Sequence, residues 1–151
     1  MNFKVKYFSE LSTTELYQIL LLRSEVFVVG QDCVYQDVDD KDQEAIHIFS
    51  QKEDKIIAYT RIFKGGDYFD KASIGRVVVK ESQRKFKFGH AVLKASIDAI
   101  EEIFKEKEII ISAQLYLQKF YESHGFFQVG EGYLEDGIPH IRMNRFSKIL
   151  L

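Results

Sequence analysis

The sequence predicts an α/β (α+β) domain, a mixed central sheet with helices packed on it. Three observations carry this. Strand-like runs outnumber helical ones along the chain. In its middle, the apolar run Ile74-Gly75-Arg76-Val77-Val78-Val79 passes through a polar loop, Lys80 to Lys87, into a long helix that opens at Gly89-His90-Ala91. A short apolar strand then follows, and a strand–helix–strand unit of this kind implies a mixed sheet. Finally, no linker, repeat or low-complexity block divides the 151 residues. That length suits one domain, residues 1–151, with a core of its own.

Taken in order, Phe3 to Phe8 alternates apolar and polar residues as a first strand. Ser12 and Glu15 have the spacing of a capping box and open a helix to about Phe27, with Leu16, Ile19, Leu20, Val26 and Phe27 on its apolar face. Gly30 to Glu44 is a long polar loop, and such loops in small domains are usually functional or disordered. Strands are expected at Ala45 to Ser50, Lys55 to Phe63 and Ala72 to Val79, with a turn at Gly65-Gly66. Gly89 to Phe104 is helical, placing Leu93, Ile97, Ile100 and Phe104 on one face. Glu108 to Ala113 is a short buried strand, and a helix from about Leu115 to His124 ends at Gly125, which suits a C-terminal cap. Phe126 to Leu134 and His140 to Phe146 pair around Glu135-Asp136-Gly137.

Composition excludes several classes. With 46% hydrophobic and 29% charged residues the chain is ordinary for a soluble globular protein. A net charge of -2 and dispersed basic residues argue against a nucleic-acid surface. The single cysteine, Cys33, cannot form an internal disulfide, which fits a reducing compartment. No apolar stretch approaches the ~20 residues of a membrane helix and no signal-peptide pattern opens the chain, so the expectation is a cytoplasmic protein that does not enter membranes. The acidic run Asp37 to Glu44 fails the EF-hand pattern, with Lys41 and Asp42 where an oxygen ligand and a glycine belong, so no metal is expected. Those acids either attract a cationic ligand or are solvated.

The strand, basic loop and helix start from Ile74 to Ala91 offer backbone N–H groups and a helix dipole to a phosphate. The preceding strand would hold the rest of the ligand, which points to a nucleotide or CoA-type cofactor. Neither GxxxxGK[ST] nor GxGxxG occurs. Instead Arg84-Lys85-Phe86-Lys87-Phe88-Gly89 resembles the R-x-x-G-x-G/A signature of the GNAT superfamily of N-acetyltransferases, with Lys87 at the first glycine position. Leu22 to Val29, Gln31 to Asp37, Ser112-Ala113-Gln114, Phe120 to Phe126 and Glu135 to His140 resemble the ElaA-like branch, in the expected order over roughly residues 3 to 146. Gly30 and Val34 depart from it, where glutamate and proline are expected.

The resemblance implies a GNAT-type acyl-CoA N-acyltransferase fold and an enzyme that passes acetyl from acetyl-CoA directly to an amine of unknown identity. It implies that Arg84, Lys85, Phe86, Lys87, Phe88, Gly89 and His90 hold the pyrophosphate, with an ordinary backbone angle at Lys87. Val77, Val78 and Val79 would lend backbone groups to the pantetheine arm and one N–H to the acetyl oxygen. Gln114 would contact the same arm.

Tyr121 is either a core residue or, as the resemblance of Phe120-Tyr121-Glu122-x-x-Gly125-Phe126 to the family motif implies, the acid that protonates the CoA thiolate. Arg23 points along an apolar helix face, so it pairs structurally or lies on the acceptor side and orients a carboxylate such as Asp37 or Asp39. Phe27, Gln31, Tyr35, Asp37 and His140 complete the expected acceptor side. Among the candidate bases His140, His47, Glu25 and Glu135, His140 is preferred because it follows Gly137-Ile138-Pro139 and because histidine is the side-chain type suited to proton transfer at neutral pH. The rival readings are a non-catalytic acyl-CoA-binding or regulatory module and a nucleotide-binding protein. Oligomeric state stays open, a homodimer included.

Overall fold

The computed structural model describes residues 2–147, so the ends of the expected 1–151 domain lie outside the described residues. The first strand, β1 (Lys4–Tyr7), is shorter than expected, and α1 (Thr13–Arg23) follows. Its start is the anticipated capping box: Ser12 Oγ accepts from the Glu15 N–H at 3.0 Å, and Glu15 Oε1 accepts from the Ser12 N–H at 2.8 Å. Past Arg23 the helix widens to the π form over Ser24–Gly30 and so runs beyond Phe27. The remaining strands are β2 (Ile46–Lys52), β3 (Lys55–Phe63), β4 (Ala72–Val79), β5 (Glu108–Gln114), β6 (Phe127–Glu135) and β7 (Ile138–Phe146). Between β4 and β5 lies α2 (Phe88–Ala99), prolonged in the π form through Ile100–Phe104. A 3-10 turn at Leu115–Leu117 leads into the short α3 (Gln118–Glu122).

One seven-stranded sheet holds them in the order β1-β2-β3-β4-β5-β7-β6. Its pairs are antiparallel except β4 with β5, which makes the sheet mixed as the strand–helix–strand unit required. The helices cover both faces. Ile19 and Leu22 of α1 pack with Phe49, Ile56, Tyr59 and Val78, whereas Val92, Leu93 and Ile97 of α2 pack with Ile48, Ile62, Ile74, Ile109, Ile111 and Met143. Each such side chain, removed almost wholly from water, contributes about 1.5–3 kcal/mol. The backbone after α3 closes with Gly125 at φ +91, where a side chain would be strained, as expected for that cap.

Two expectations are corrected. The last hairpin turns at Asp136 and Gly137, with φ of 52 and 76, and Ile138 and Pro139 already belong to β7 rather than to the turn. Positive φ at both central residues gives the turn the twist that two antiparallel strands need. Lys87 does not have an ordinary backbone angle: it lies in the left-handed region at φ 60, ψ 26. The stretch read as a loop is a 3-10 turn, Glu81–Phe86, and Lys87 is the joint between that turn and α2. Reversing the chain from one helix into the next requires a left-handed residue, whatever its side chain.

Candidate active site

The site follows from where two strands part. Parallel pairing of β4 with β5 is confined to Ala72–Ile109 and Ser73–Ile110. Beyond it lies a cleft of about 1240 Å³, walled by Ile74 to Val79 on one side and Ile111, Ser112 and Gln114 on the other. Along this edge β4 has no ladder partner, so β5 does not take up its backbone polar groups. On the β3 side the register slips between Tyr59–Val78 and Arg61–Gly75, and within that bulge Arg76 takes φ 53. A left-handed residue inside a strand costs about 1–3 kcal/mol and persists only when its surroundings hold it.

At the outer end of the cleft, Lys80, Arg84, Lys87, Gly89 and His90 form its lining. Arg84 Nε donates to the carbonyl of Val79 at 3.3 Å, drawing the 3-10 turn over the end of β4. No side chain caps the start of α2, so its first-turn N–H groups lack a side-chain acceptor amid basic residues. The arrangement suits an anion such as a pyrophosphate. Gly89 sits against the Phe120 ring, where an added Cβ would make an ordinary contact at 3.5 Å. Lys85, Phe86 and Phe88 do not line the cleft: Lys85 lies over the Phe86 ring and Phe88 packs against the core. His90 Nδ1 lies 2.9 Å from His124 Nε2, a contact that needs one shared proton.

Tyr121 is a core residue that also reaches the cleft. It belongs to the core cluster under α2 and is only 6% exposed. Burial, with Tyr116 adding to it, raises its phenol well above the usual range, so the proton stays on oxygen. Gln114 at the end of β5 lines the cleft and exchanges hydrogen bonds with Gln31, at 3.0 and 3.3 Å.

Of the residues expected on the acceptor side, Phe27, Gln31, Tyr35 and His140 line the cleft. Arg23 and Asp37 do not. Arg23 is 0% exposed: its Nε donates to Asp37 Oδ2 at 2.9 Å and its Nη1 to Asp42 Oδ1 at 2.7 Å. Arg61 pairs with Asp39 at 2.6 Å and Asp42 at 2.9 Å, and Arg76 with Asp37 at 2.8 Å. Thus Asp37, Asp39 and Asp42 meet the guanidinium groups of Arg23, Arg61 and Arg76, which corrects the expectation that these three acids attract a cationic ligand or are solvated, while Asp40 and Glu44 of the same run are exposed. The unpaired charges would be too expensive to bury. Burial opposes ionisation of Asp39, but hydrogen bonding and charge from Arg61 outweigh it and lower its carboxyl to about 2. His47 is also behind the wall, with Nδ1 2.6 Å from the Tyr59 hydroxyl and Nε2 2.9 Å from the Asp42 carbonyl. Burial lowers its pKa, and it does not line the cleft as a base would.

His140 is 6% exposed, with Nδ1 2.7 Å from the carbonyl of Ile138 and Nε2 3.3 Å from Glu135 Oε2. Because a carbonyl can only accept, Nδ1 carries the proton and Nε2 is the basic nitrogen of the neutral ring. Glu25 and Glu135 line the cleft as well.

Sequence reasoning passed over Arg76, Ser112 and Tyr133. Arg76 ties the β4 bulge to the loop below; its one signal was a charge within the apolar run Ile74 to Val79. Ser112 and Tyr133 share a 2.6 Å hydroxyl contact. Nothing in their local sequence pointed to that contact, because β5 and β6 are separated by β7.

A sheet that parts between two parallel strands over a helix start is the fold of acyl-CoA N-acyltransferases. The chain belongs to the GNAT acetyltransferase family, whose domain matches residues 11–146. It is 44% identical to the protein ElaA of Escherichia coli (strain K12) over 139 residues, covering 91% of each chain. The crystal structure of Escherichia coli ElaA superposes with a TM-score of 0.89 at 41% identity, covering 95% of this chain and 98% of that one. An acyl-CoA N-acyltransferase from Pseudomonas aeruginosa gives a TM-score of 0.90 at 37% identity, with 96% and 99% covered. An aminoglycoside 6'-N-acetyltransferase complexed with coenzyme A shares the fold alone, with a TM-score of 0.70 at 14% identity and 95% and 96% covered. Among the described residues no helix is long and apolar enough to cross a membrane.

Proposed function

We propose that this protein is an acetyl-CoA-dependent N-acetyltransferase that passes the acetyl group directly to an amine, and that it works in the cytoplasm. The observation that carries the reading is the cleft between β4 and β5, open at one end to the uncapped start of α2 and at the other to the Gly30 to Glu44 loop and the last hairpin. Acetyl-CoA supplies a thioester carbonyl that a neutral amine attacks, with loss of CoA as a thiol. The α2 N-terminus, with Arg84, Lys87 and His90, holds the pyrophosphate. Backbone groups of Val77 to Val79 and the Gln114 amide hold the pantetheine arm. An N–H of that strand donates to the acetyl oxygen as negative charge gathers there.

His140 Nε2 takes a proton from the incoming ammonium and so frees the amine lone pair. Tyr121 gives its phenolic proton to the departing sulfur and regains one from the nitrogen that has become an amide. Its high pKa is no bar, since the apolar surroundings that raise it also make a thiolate leaving there more basic.

A thermal-shift titration with acetyl-CoA, CoA and ATP tests the reading. At ~100 times Kd a ligand of the folded state adds about 2.7 kcal/mol, or roughly 5–11 °C for a domain of this size. The expected result is a shift with both CoA species and none with ATP. No shift with either CoA species removes the cofactor site and the activity with it. A shift without turnover of any amine leaves a non-catalytic acyl-CoA-binding module.

A further inference from the structure

The hairpin end of the cleft sets His140 Nε2 3.3 Å from Glu135 Oε2, two groups that both accept whenever the imidazole is neutral. The carbonyl of Ile138 claims the Nδ1 proton of His140, so in the neutral ring the Nε2 lone pair looks at Glu135 Oε2 across 3.3 Å. Two such acceptors repel unless a proton or an N–H donor joins them. The other oxygen, Glu135 Oε1, accepts from Ser112 Oγ at 3.1 Å. Ser112 in turn meets the Tyr133 hydroxyl, and the Tyr133 ring is stacked beside that of His140 at 6.2 Å. His140 is almost fully buried while the Glu135 side chain is 50% exposed, so the pair opens toward the cleft through its carboxylate.

The charge around it is one-sided. Asp37, Asp39 and Asp42 are matched by Arg23, Arg61 and Arg76 and contribute little net field. Glu135 and Asp136 line the cleft here, and among the described residues neither pairs with lysine or arginine.

We propose that the acceptor is a cationic alkylamine with no carboxylate beside the reacting nitrogen, gripped as its ammonium between His140 Nε2 and Glu135 Oε2. This rests on the N-acetyltransferase reading above. An ammonium has three N–H groups, so it donates to both acceptors at once and removes their repulsion. Passing one proton to Nε2 then leaves a neutral amine beside an imidazolium that Glu135 stabilises. An α-amino acid brings its own carboxylate against Glu135 and Asp136, and like charges placed together select against it.

The test compares amines that differ only by that carboxylate: agmatine against arginine, and 2-phenylethylamine against phenylalanine, with acetyl-CoA saturating and CoA release measured. The expected result is a kcat/KM at least about tenfold higher for the amine of each pair. Glu135→Gln should raise KM for the amines and bring the ratio within each pair toward one. A merely structural loss would lower both members alike and leave the ratio standing. An unchanged CoA-dependent thermal shift checks that the variant is folded, and Asp136→Asn gives a second, smaller change in the same ratio. Equal turnover within the pairs, a ratio untouched by Glu135→Gln, or no turnover of any amine by protein that binds acetyl-CoA overturns the inference. Failure to bind acetyl-CoA is a different result, which removes the cofactor reading itself and this inference with it.

Discussion

Replacing Arg23 by methionine tests whether the ion network under the acceptor loop holds that loop to the sheet. The side chain makes three hydrogen bonds, to Asp37 Oδ2 at 2.9 Å, Asp42 Oδ1 at 2.7 Å and the Asp37 carbonyl at 3.0 Å. Methionine fills similar space without charge. Breaking a buried pair by removing one partner costs roughly 3–5 kcal/mol. Here the loss lies at the lower end, because Asp37 keeps Arg76 and Asp42 keeps Arg61. What remains is one excess negative charge shared by two carboxylates. A destabilisation of about 3 kcal/mol corresponds to a fall in Tm of roughly 6–12 °C.

The chain has no tryptophan, so the assay is urea unfolding followed by far-UV circular dichroism. Arg23→Met/Asp42→Asn, which removes one charge of each sign, should lose less than the sum of its single variants. A loss below about 1 kcal/mol for Arg23→Met, or strict additivity in the double variant, would refute the reasoning.

Tyr121→Phe should lower kcat on any responsive amine by about 10²-fold with little change in acetyl-CoA affinity; an unchanged kcat removes the acid role. Lys87→Gly relieves a left-handed backbone and should stabilise by up to about 1 kcal/mol, while β-branched Lys87→Val should destabilise by more, both read from urea midpoints. Stability should fall with acid in two stages. His47 has a folded pKa below its unfolded value of ~6.5, so its contribution is complete above that pH and declines below it. Asp39 falls from an unfolded value of ~3.9 to about 2, so its share, about 2 kcal/mol, is present above pH ~4 and lost on descent to about 2. Unfolding free energies at several pH values that stay level from 7 to 3 would contradict both assignments.

Much of the frame was legible locally. The capping box at Ser12 and Glu15 is a bond between neighbours in sequence, and it formed as read. The limits of β3 and β4 were read correctly because each is a largely apolar run, as suits a strand buried on both faces, and Gly65-Gly66 marks the turn between them. Lys87 was misread because the family resemblance implied an ordinary angle, whereas the junction between the 3-10 turn and α2 holds it left-handed. Asp37, Asp39 and Asp42 were misread for a distant reason. Two of their partners, Arg61 and Arg76, lie on strands 19 to 39 residues away, and no pattern in the loop itself announces them.

The sequence by itself determined the class of fold, the order of its elements and the stretch suited to a phosphate. Those depend on periodicity, caps and composition, which act over a few residues. Tertiary structure alone decided that the pairing of β4 with β5 stops at Ser73, that β4 bulges at Arg76, and that Ser112 meets Glu135 and His140 at one end of the gap. Most of these depend on how strands far apart in the chain are set against one another. The energy of such a contact depends on which groups the fold brings within about 3 Å and removes from water, and short-range pattern carries no record of that.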